Sequence, residues 1–416
     1  MKTQPLTLKA VSPLALHRRR ASEQFAPSLD YLPGGAVRGA VADLYLQGDS
    51  KRAEDELFQK LFLRDEVMFS DFLPAASKNK AQLFPASAMA CKRFIDDNHL
   101  QASLTDSILR LELATELDEQ GLLVLDSQND PLTLGEWKTC PKCRTAGREK
   151  PKRDRMEGGY YTSPESVDRV KVRKRMIAGT AIERATGTAA SAMLFSHEVI
   201  EESSSQKEGD ATLFQGVITF PDDLYNDLTK LLARGQQLAV GYGRSRGLGL
   251  LESQGWAEES PPKTLPERWN ALNQTARDLW TKFNREPQGL YFTLTLQSHL
   301  ILKNKAGEPV LGEVSAADLG LPTEIARRRS VLSAVLVSGW NAAQGLPKPD
   351  EWALGRGSVL LFRLPAGADF ASVQNQLEKI EREGVGERRA EGFGRLSVCD
   401  EFHYHFLSTE LKGASQ

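Results

Sequence analysis

Apolar residues alternate with polar ones in several short runs of this chain, and elsewhere they recur every three or four positions. The first pattern predicts strands and the second predicts amphipathic helices. Because a polar segment separates the runs 192–199 and 213–220, these two are predicted to form a long hairpin. The mixture of elements predicts an α+β fold. Strands are predicted at 6–16, 67–73, 175–182, 192–199, 213–220, 290–297, 334–340 and 358–364.

Two helical patterns are each followed by a glycine-rich loop and then by a short apolar run. The helices are predicted at 224–234 and 373–383, and the loops occupy 241–249 and 392–396. The same succession at matching places indicates a duplicated α+β unit.

The predicted halves cover residues 1–253 and 289–416. Between them, apolar residues at helical spacing over 254–288 predict a linker helix packed on one face. In the first half, the turn at Gly34 and Gly35 leads into another helical pattern, and a helix N-terminus preceded by glycines can bind an anion.

Both loops combine glycine with arginine. Glycine lets the main chain approach a partner closely and leaves N–H groups pointing outward, and arginine supplies positive charge for phosphate. Arg244 and Arg246 lie in the first loop, and Arg395 follows Gly394 in the second. The predicted partner is a polyanion, most simply a nucleic-acid backbone. The alternative is a pair of tight turns ahead of edge strands.

The composition is that of a globular protein, since 40% of its 416 residues are hydrophobic. No apolar run approaches the roughly 20 residues needed to span a bilayer, and residues 1–10 resemble a strand instead of a signal peptide, so the cytoplasm is the predicted location. With a formal net charge of -2, the chain lacks the basicity of an independent nucleic-acid binder. Contacts with RNA are therefore predicted to come from local basic patches, which lie at 18–20, 144–155, 171–175, 244–246, 327–329 and 388–389.

The chain contains four cysteines. Cys140 and Cys143 have the C-x-x-C spacing of half a zinc site, and Cys91 and His99 lie in a second short segment. If the two segments meet, a closed Cys3His site results, and its role is structural. The alternative is that Cys91 is buried as a small hydrophobe while the C-x-x-C pair is vestigial or redox-active. Cys399 is predicted to be a core residue of the final strand.

Residues 178–189 form a distinctive motif with the sequence Ala-Gly-Thr-Ala-Ile-Glu-Arg-Ala-Thr-Gly-Thr-Ala, which is followed by Met193-Leu-Phe-Ser-His-Glu198. Together with Pro33-Gly-Gly-Ala-Val-Arg-Gly39 and the two glycine-rich loops, this block resembles the RAMP superfamily of CRISPR-associated proteins. The likeness is greatest to the subunits of type III-D effector complexes that cap the 5′ tag of the CRISPR RNA (crRNA).

The resemblance implies two ferredoxin-like, RRM-related domains with a zinc-bearing insertion at about 85–160 and a hairpin thumb at about 175–220. It also implies a subunit that anchors the 5′ tag of the crRNA and caps the backbone filament. The implied partners are the crRNA tag, neighbouring RAMP backbone subunits and the large signature subunit, with target RNA contacted only indirectly.

Single-strand capture is the predicted mechanism: the loops and the Gly34 turn hold phosphates, while Ile182, Tyr242 and Phe393 stack on bases or wedge between them. The predicted RNA-binding residues are Arg18, Arg19, Arg20, Gly34, Gly35, Arg38, Arg173, Arg175, Thr180, Ile182, Arg184, Gly241, Tyr242, Gly243, Arg244, Ser245, Arg246, Gly247, Gly392, Phe393, Gly394 and Arg395.

Some relatives in the resembled superfamily are endoribonucleases that use a histidine near the end of the first strand. His17 stands in a comparable place. General acid–base cleavage usually needs a second group near that histidine, and the sequence identifies none. His197, His299, His403 and His405 are interpreted as structural. A non-catalytic binding subunit is therefore favoured. An endoribonuclease acting through His17 and an architectural subunit that contacts only protein are the alternatives.

Overall fold

The computed structural model describes residues 1–17, 25–76, 79–93, 97–124, 137–145, 152–162, 167–204, 210–257, 263–341 and 343–413. Within these ranges no helix is long and apolar enough to cross a membrane. The helices are α1 (Gly34–Leu46), α2 (Glu56–Phe62), α3 (Asp97–Ser103), α4 (Ile108–Glu119), α5 (Pro141–Thr145), α6 (Tyr225–Leu231), α7 (Leu265–Thr281), α8 (Ala371–Glu383) and α9 (Glu401–Gly413).

The strands are short, and most of them pair antiparallel. They are β1 (Lys2–Ala10), β2 (Phe25–Ala26), β3 (Met68–Phe69), β4 (Leu73–Ala76), β5 (Asn79–Lys80), β6 (Gln82–Leu83), β7 (Ala88–Cys91), β8 (Thr105–Asp106), β9 (Arg153–Arg155), β10 (Gly159–Thr162), β11 (Val167–Arg169), β12 (Lys174–Ile182), β13 (Ala189–Ile200), β14 (Leu213–Phe220), β15 (Gln237–Ala239), β16 (Leu250–Trp256), β17 (Tyr291–Leu296), β18 (Ala326–Val331), β19 (Ala334–Asn341), β20 (Leu346–Leu354), β21 (Val359–Arg363) and β22 (Leu396–Val398).

The sheet of the first half has the strand order β15-β16-β1-β14-β4-β5, with β3 also pairing to β14. Leu6 and Leu8 of β1 alternate with less buried residues and point into a core that Val37 and Val41 of α1 and Leu228 of α6 complete. This inward alternation is what holds β1 in its register, because a shift by one residue would expose both leucines.

The sheet of the second half has the strand order β18-β21-β17-β22. Every residue of its central strand β17 is buried, and the rings of Phe292 and Phe362 stack on neighbouring strands with centroids 5.2 Å apart. Helix α7 buries Trp269, Leu272 and Leu279 against this core, so the predicted one-face packing of that segment is present. Helix α7 is therefore part of the second half's core and not only a connection.

The two sheets repeat one topology. Numbered along the chain within each half, the core strands lie in the order 4-1-3-2: β16-β1-β14-β4 in the first half and β22-β17-β21-β18 in the second. Each half also has a hairpin between its second and third core strands, β12–β13 and β19–β20. The duplication that the glycine loops indicated is thus visible in the strand order.

Several predicted strands differ from the structure. The predicted hairpin of 192–199 with 213–220 is wrong, because β13 pairs with β12 while β14 lies between β1 and β4. The two strands are adjacent in sequence, but β14 carries the buried side chains of a central strand. The predicted strand 6–16 ends at Ala10, and the predicted strand 67–73 is broken between β3 and β4.

Between β5 and β12 lies an insertion with two small sheets, β8-β7-β9 and β11-β10-β6. Its helix α4 packs into the core of the second half: Glu116 accepts hydrogen bonds from Trp280 Nε1 at 2.7 Å and from the Tyr291 hydroxyl. The insertion belongs to the first half in sequence but contacts both halves in space, since Leu83 and Tyr161 pack with Tyr31 and Leu73 of the first half.

Candidate metal centre and nucleic-acid interface

Four predicted ligands meet in the insertion. Cys91 ends β7, His99 lies on α3, and Cys140 and Cys143 lie just before and within α5; all four are buried, and their ligand atoms lie within 4.8 Å of one another. His99 Nε2 is 3.3 Å from both Cys140 Sγ and Cys143 Sγ, and Cys91 Sγ is 3.7 Å from Cys143 Sγ. Ligands 2.0–2.3 Å from one tetrahedral zinc ion are separated by roughly 3.3–3.8 Å. The arrangement can therefore hold a metal ion.

The backbone around Cys91 fixes its thiol. The Cys91 N–H donates to Ser103 Oγ at 3.0 Å, and the Arg93 N–H donates to Cys91 Sγ at 3.4 Å. Hydrogen bonds of this kind orient and stabilise a thiolate ligand. Arg153 of β9 ties the same region to α9 through Glu410 Oε1 at 2.8 Å.

A buried polar chain links the insertion to the second half. His403 Nδ1 lies 3.0 Å from Asp106 Oδ2, and its Nε2 lies 2.7 Å from Thr295 Oγ1. Burial lowers the pKa of His403, but the Asp106 carboxylate raises it more, and the net direction is upward. Carboxylate, imidazole and hydroxyl follow one another as in a hydrolase triad. All three side chains are buried, so this chain is closed to solvent, as a structural role for His403 requires.

The open loop (residues 240–249) contains the first glycine-rich motif. The Val240 N–H donates to Gly249 O at 2.8 Å, and the Tyr242 N–H donates to Ala15 O at 2.9 Å. A Cβ atom on Gly249, at φ +85°, would lie 2.0 Å from Val240 O, so only glycine closes this loop. At its tip Tyr242 is 46% exposed, and the exposed Arg244 pairs with Asp43 at 3.1 Å.

Beside the open loop lies the histidine cluster, which consists of His17, His197 and Tyr242. The imidazole rings stack with centroids 4.9 Å apart, and the Tyr242 ring lies 5.4 Å from His17 and 5.0 Å from His197. Burial lowers the pKa of both histidines; His197 lowers that of His17 further, and Arg246 lowers that of His197. Both rings are therefore neutral at pH 7. Interpreting His197 as merely structural missed this pair, because nothing local marks two residues that only strand pairing brings together.

The docked loop (residues 385–394) repeats the geometry of the open loop in the second half. The Val385 N–H donates to Gly394 O at 3.0 Å, and the Glu387 N–H donates to Ile301 O at 3.0 Å. This loop packs against the first half: a Cβ atom on Gly392 would lie 2.6 Å from Phe69 O. Phe393 lies under the Arg388 guanidinium, which is 4.7 Å from the ring centroid. The structure thus places Gly392 in the contact between the halves, whereas Gly394 and Phe393 contact residues of the second half.

The N-terminus of α1 does bind an anion, but the anion is internal. The Gly34 N–H donates to Asp71 Oδ1 at 3.0 Å, and the Cβ of a residue at 34 would lie 2.2 Å from Phe69 O. Burial raises the pKa of Asp71 to about 6 despite the nearby Arg356 and Arg395. The predicted phosphate site at Gly34 and Gly35 is therefore filled by the protein's own carboxylate.

A family model matches more than half of the chain. Residues 7–252, which span the first half with its open loop and histidine cluster, match the model of the RAMP superfamily. The chain belongs to the RAMP superfamily. No curated protein matches the sequence. The resemblance predicted from the motifs is confirmed at the level of the superfamily.

Solved structures similar to this RAMP protein share little sequence with it. One is the type III-B Cmr-beta complex bound to cognate target RNA, at 12% identity and a TM-score of 0.42, with 94% of this chain and 96% of that chain covered. Another is the Csm3-Csm4 subcomplex of the type III-A CRISPR-Cas interference complex, at 13% identity and a TM-score of 0.33, covering 86% and 92%. Oligomeric Cmr4 from Pyrococcus furiosus matches at 11% identity and a TM-score of 0.25, covering 62% and 99%.

The remaining predicted RNA-binding residues of this RAMP protein divide into exposed and engaged side chains. Arg38 donates to Phe62 O, Arg395 lies 3.4 Å from Thr219 Oγ1, and Arg173 pairs with Glu201 at 2.8 Å. Arg18, Arg19 and Arg20 lie outside the described residues. The side chains that the structure leaves exposed are Arg173, Arg175, Thr180, Ile182, Arg184, Tyr242, Arg244, Ser245 and Arg246, of which Arg173 and Arg244 also form ion pairs.

Both hairpins expose large apolar side chains. On β12–β13 these are Met176, Ile182 and Leu194, at 60%, 66% and 65% exposure. On β19–β20, where only one strand was predicted, Trp340 is 50% exposed and Trp352 is 49% exposed. Exposed apolar side chains on a protruding hairpin are typical of a contact surface.

Proposed function

We propose that this RAMP protein is a non-catalytic RNA-binding subunit of a type III CRISPR effector complex. It anchors the 5′ tag of the crRNA and caps the backbone filament, next to RAMP backbone subunits and the large signature subunit. One observation carries the proposal: of two loops with the same backbone geometry, the open loop exposes two arginines and the Tyr242 ring together, whereas the docked loop exposes Arg389 and keeps the Phe393 ring partly buried.

The open loop suits single-stranded RNA. Arg244 and Arg246 are exposed on a one-turn 3-10 helix between Gly243 and Gly247, so their guanidinium groups can reach successive phosphates. Tyr242 offers a ring on which a base can stack. The β12–β13 hairpin, whose strand β13 carries His197, adds the exposed Arg175 and Ile182. These groups contact backbone and unpaired bases, which is the usual mode of single-strand recognition.

The strand order supports the finer fold proposal. Antiparallel sheets in the order 4-1-3-2, with a helix between strands three and four, have the arrangement of ferredoxin-like domains. We propose such a domain in residues 1–253, with the insertion at about 85–160, and another in 289–416, whose core α7 of the preceding segment completes. The exposed apolar side chains of the β12–β13 hairpin fit a thumb that contacts RNA and a neighbouring subunit.

The RNA proposal is tested in the assembled complex by replacing Arg244 and Arg246 with Ala. Capture of the crRNA 5′ end should weaken, and the logarithmic salt slope should become shallower by roughly 0.7 for each phosphate of the single strand that an arginine no longer neutralises. Arg382→Ala, which removes an exposed arginine of α8, is the matched control. Equal affinity for the double variant and wild type in complexes of equal composition would contradict the proposal and favour the architectural alternative.

We propose further that the Cys91, His99, Cys140 and Cys143 cluster holds a structural zinc ion. Four ligands leave no open coordination position, so the ion would stabilise the insertion and take no part in a reaction. Protein purified without chelator should contain about one zinc per chain. Cys143→Ser should lose both the metal and thermal stability, whereas Cys399→Ser, at a buried thiol outside the cluster, should keep the metal. Metal-free wild type of equal stability would refute the assignment.

A second candidate function is endoribonuclease activity, because His197 supplies the second imidazole beside His17 that sequence reasoning lacked. In such a reaction one imidazole accepts the 2′-hydroxyl proton and another group protonates the leaving 5′-oxygen. The non-catalytic proposal expects precursor crRNA to remain intact with the purified protein. Cleavage within the repeat that is abolished by His17→Ala in an identical preparation would establish the second function instead.

A further inference from the structure

The two halves can be aligned residue by residue from their backbone hydrogen bonds. Leu14 and Ile200 exchange N–H···O bonds in the first half, as Leu300 and Leu354 do in the second. The Tyr242 N–H donates to Ala15 O, as the Glu387 N–H donates to Ile301 O. Counting from these anchors makes three pairs of positions equivalent: His17 with Lys303, His197 with Glu351, and Tyr242 with Glu387. The histidine cluster therefore has a counterpart in the second half.

That counterpart is closed by ion pairs. Lys303 Nζ lies 2.7 Å from Glu351 Oε1 and 2.8 Å from Glu387 Oε2, and Arg388 Nη1 lies 3.3 Å from the other oxygen of Glu351. These cations offset the repulsion between the two carboxylates, and Lys303 and Arg388 lower the pKa of Glu351 in spite of its burial. Each of these charged side chains already has an ion-pair partner within the protein, so no external ligand is required to neutralise it.

The first half has the opposite character at the same place. His197 is only 9% exposed, and neither of its ring nitrogens has a hydrogen-bond partner among the described residues; the same holds for His17 Nε2. A neutral imidazole always carries one N–H, and a buried donor without an acceptor costs about 1–3 kcal/mol. The half-exposed Tyr242 ring joins the pair to solvent at the open loop. An external acceptor can therefore complete the hydrogen bonding of this cluster.

We infer that His17, His197 and Tyr242 form a binding site for one nucleotide of single-stranded RNA, in which imidazole N–H groups donate to phosphodiester oxygens and the base stacks on Tyr242. This inference rests on the proposed function, and it specifies where one phosphate of the bound RNA lies. Arg246, which faces His197 from the open loop, supplies the positive charge.

A phosphodiester fits this chemistry better than a metal ion does. The imidazole rings stack face to face at an interplanar angle of 21°, so their nitrogen lone pairs do not converge on one point as in a metal site. Among the described residues, the metal-ligating group that the structure contains is the cysteine–histidine cluster of the insertion. Donors, a cation and an aromatic face are what a nucleotide requires.

The duplication supplies matched variants for a test. The double variant His17→Lys with His197→Glu copies the ion pair of the second half into the first and leaves the net charge unchanged. In the assembled complex it should bind crRNA about tenfold more weakly than wild type, as expected when hydrogen bonds to a charged group are removed. The matched control is Lys303→Gln with Glu351→Gln, which changes the equivalent pair in the second half and should leave crRNA affinity unchanged.

Dependence on pH gives a second readout. Among the described residues, the charged or titratable groups that face the pair are His17 and His197 themselves, Tyr242 and Arg246. A bound phosphate favours the protonated imidazoles, whose pKa values are lowered in the free protein, so binding should take up protons and strengthen as the pH falls from about 7.5 to about 5.5. The double variant should lose this gain. Tyr242→Ala, at a half-exposed ring, should weaken binding, while Tyr242→Phe should retain it and serves as the control for the lost hydroxyl.

Three outcomes separate this inference from the proposed function. If the double variant binds crRNA more weakly and without dependence on pH, the result supports both the nucleotide site and the proposed RNA-binding function. Unchanged affinity and pH dependence, with binding still sensitive to Arg244 and Arg246, overturns the nucleotide site and leaves the subunit's RNA-binding role intact. Failure of the wild-type complex to need this subunit for crRNA capture overturns both.

Discussion

The carboxylate of Asp71 provides a stringent test of the contact between the halves. It lies largely buried between the N-terminus of α1 and the arginines of the second half, and accepts a hydrogen bond from the Gly34 N–H at 3.0 Å. In Asp71→Asn the side-chain oxygen can keep that hydrogen bond while the ionisable group is removed. The variant therefore isolates the effect of charge at this position.

The magnitude follows from the pKa. Burial raises the pKa of Asp71 from its ordinary 3.8 to about 6, against the opposing effect of Arg356. The folded protein thus binds this proton more tightly than the unfolded chain, and the free energy of unfolding falls as pH rises between these two values. At 1.36 kcal/mol per pH unit, the ionised carboxylate destabilises the fold by up to about 3 kcal/mol. About 2 kcal/mol of this arises between pH 4.5 and 7.5.

Urea denaturation followed by tryptophan fluorescence measures the effect. The free energy of unfolding of Asp71→Asn minus that of wild type should increase by about 2 kcal/mol as the pH rises from 4.5 to 7.5, and most of this increase should be complete near pH 6. Asp223→Asn, at a side chain that is 65% exposed, controls for the removal of one negative charge. If the stability difference between Asp71→Asn and wild type stayed constant with pH, the carboxylate would be ionised throughout and the reasoning on its burial would be refuted.

Two further predictions concern the backbone. Gly394→Ala should lower the free energy of unfolding by about 1–3 kcal/mol more than Gly307→Ala does. A Cβ atom at 394 would lie 1.8 Å from Val385 O, whereas a Cβ atom at 307 meets nothing within 4 Å, and both glycines have φ near +80°. Equal urea midpoints for the two variants would therefore contradict the steric argument. Thr264→Ala should lower the free energy of unfolding by about 1 kcal/mol, because it removes the capping box that Thr264 forms with Glu267 at the start of α7. Thr281→Ala, at the exposed end of the same helix, should have a smaller effect. Equal decreases in melting temperature for the two variants would show that the capping box contributes little.

The sequence by itself determined the features that depend on neighbouring residues. Apolar periodicity located α8 and β17 to within about two residues and placed α7 inside the broader predicted segment 254–288, because a helix or strand buries the face that its own spacing presents. The requirement of the two loops for glycine was also local, since it arises from positive φ angles at Gly249 and Gly394. The four metal-ligand candidates could be named because cysteine and histidine are few and closely spaced in their segments.

Only the tertiary structure decided which of these features are exposed to solvent and which are buried inside the protein. The two glycine loops look alike in sequence, yet one is open while Gly392 of the other is buried against Phe69. His17 meets His197 because Leu14 and Ile200 exchange backbone hydrogen bonds and bring the segment after β1 alongside β13. Asp71 reaches Gly34 because Leu32 and Phe72 exchange backbone hydrogen bonds. Burial, ion pairing and access are set by contacts between distant segments, and no local pattern along the chain carries that information.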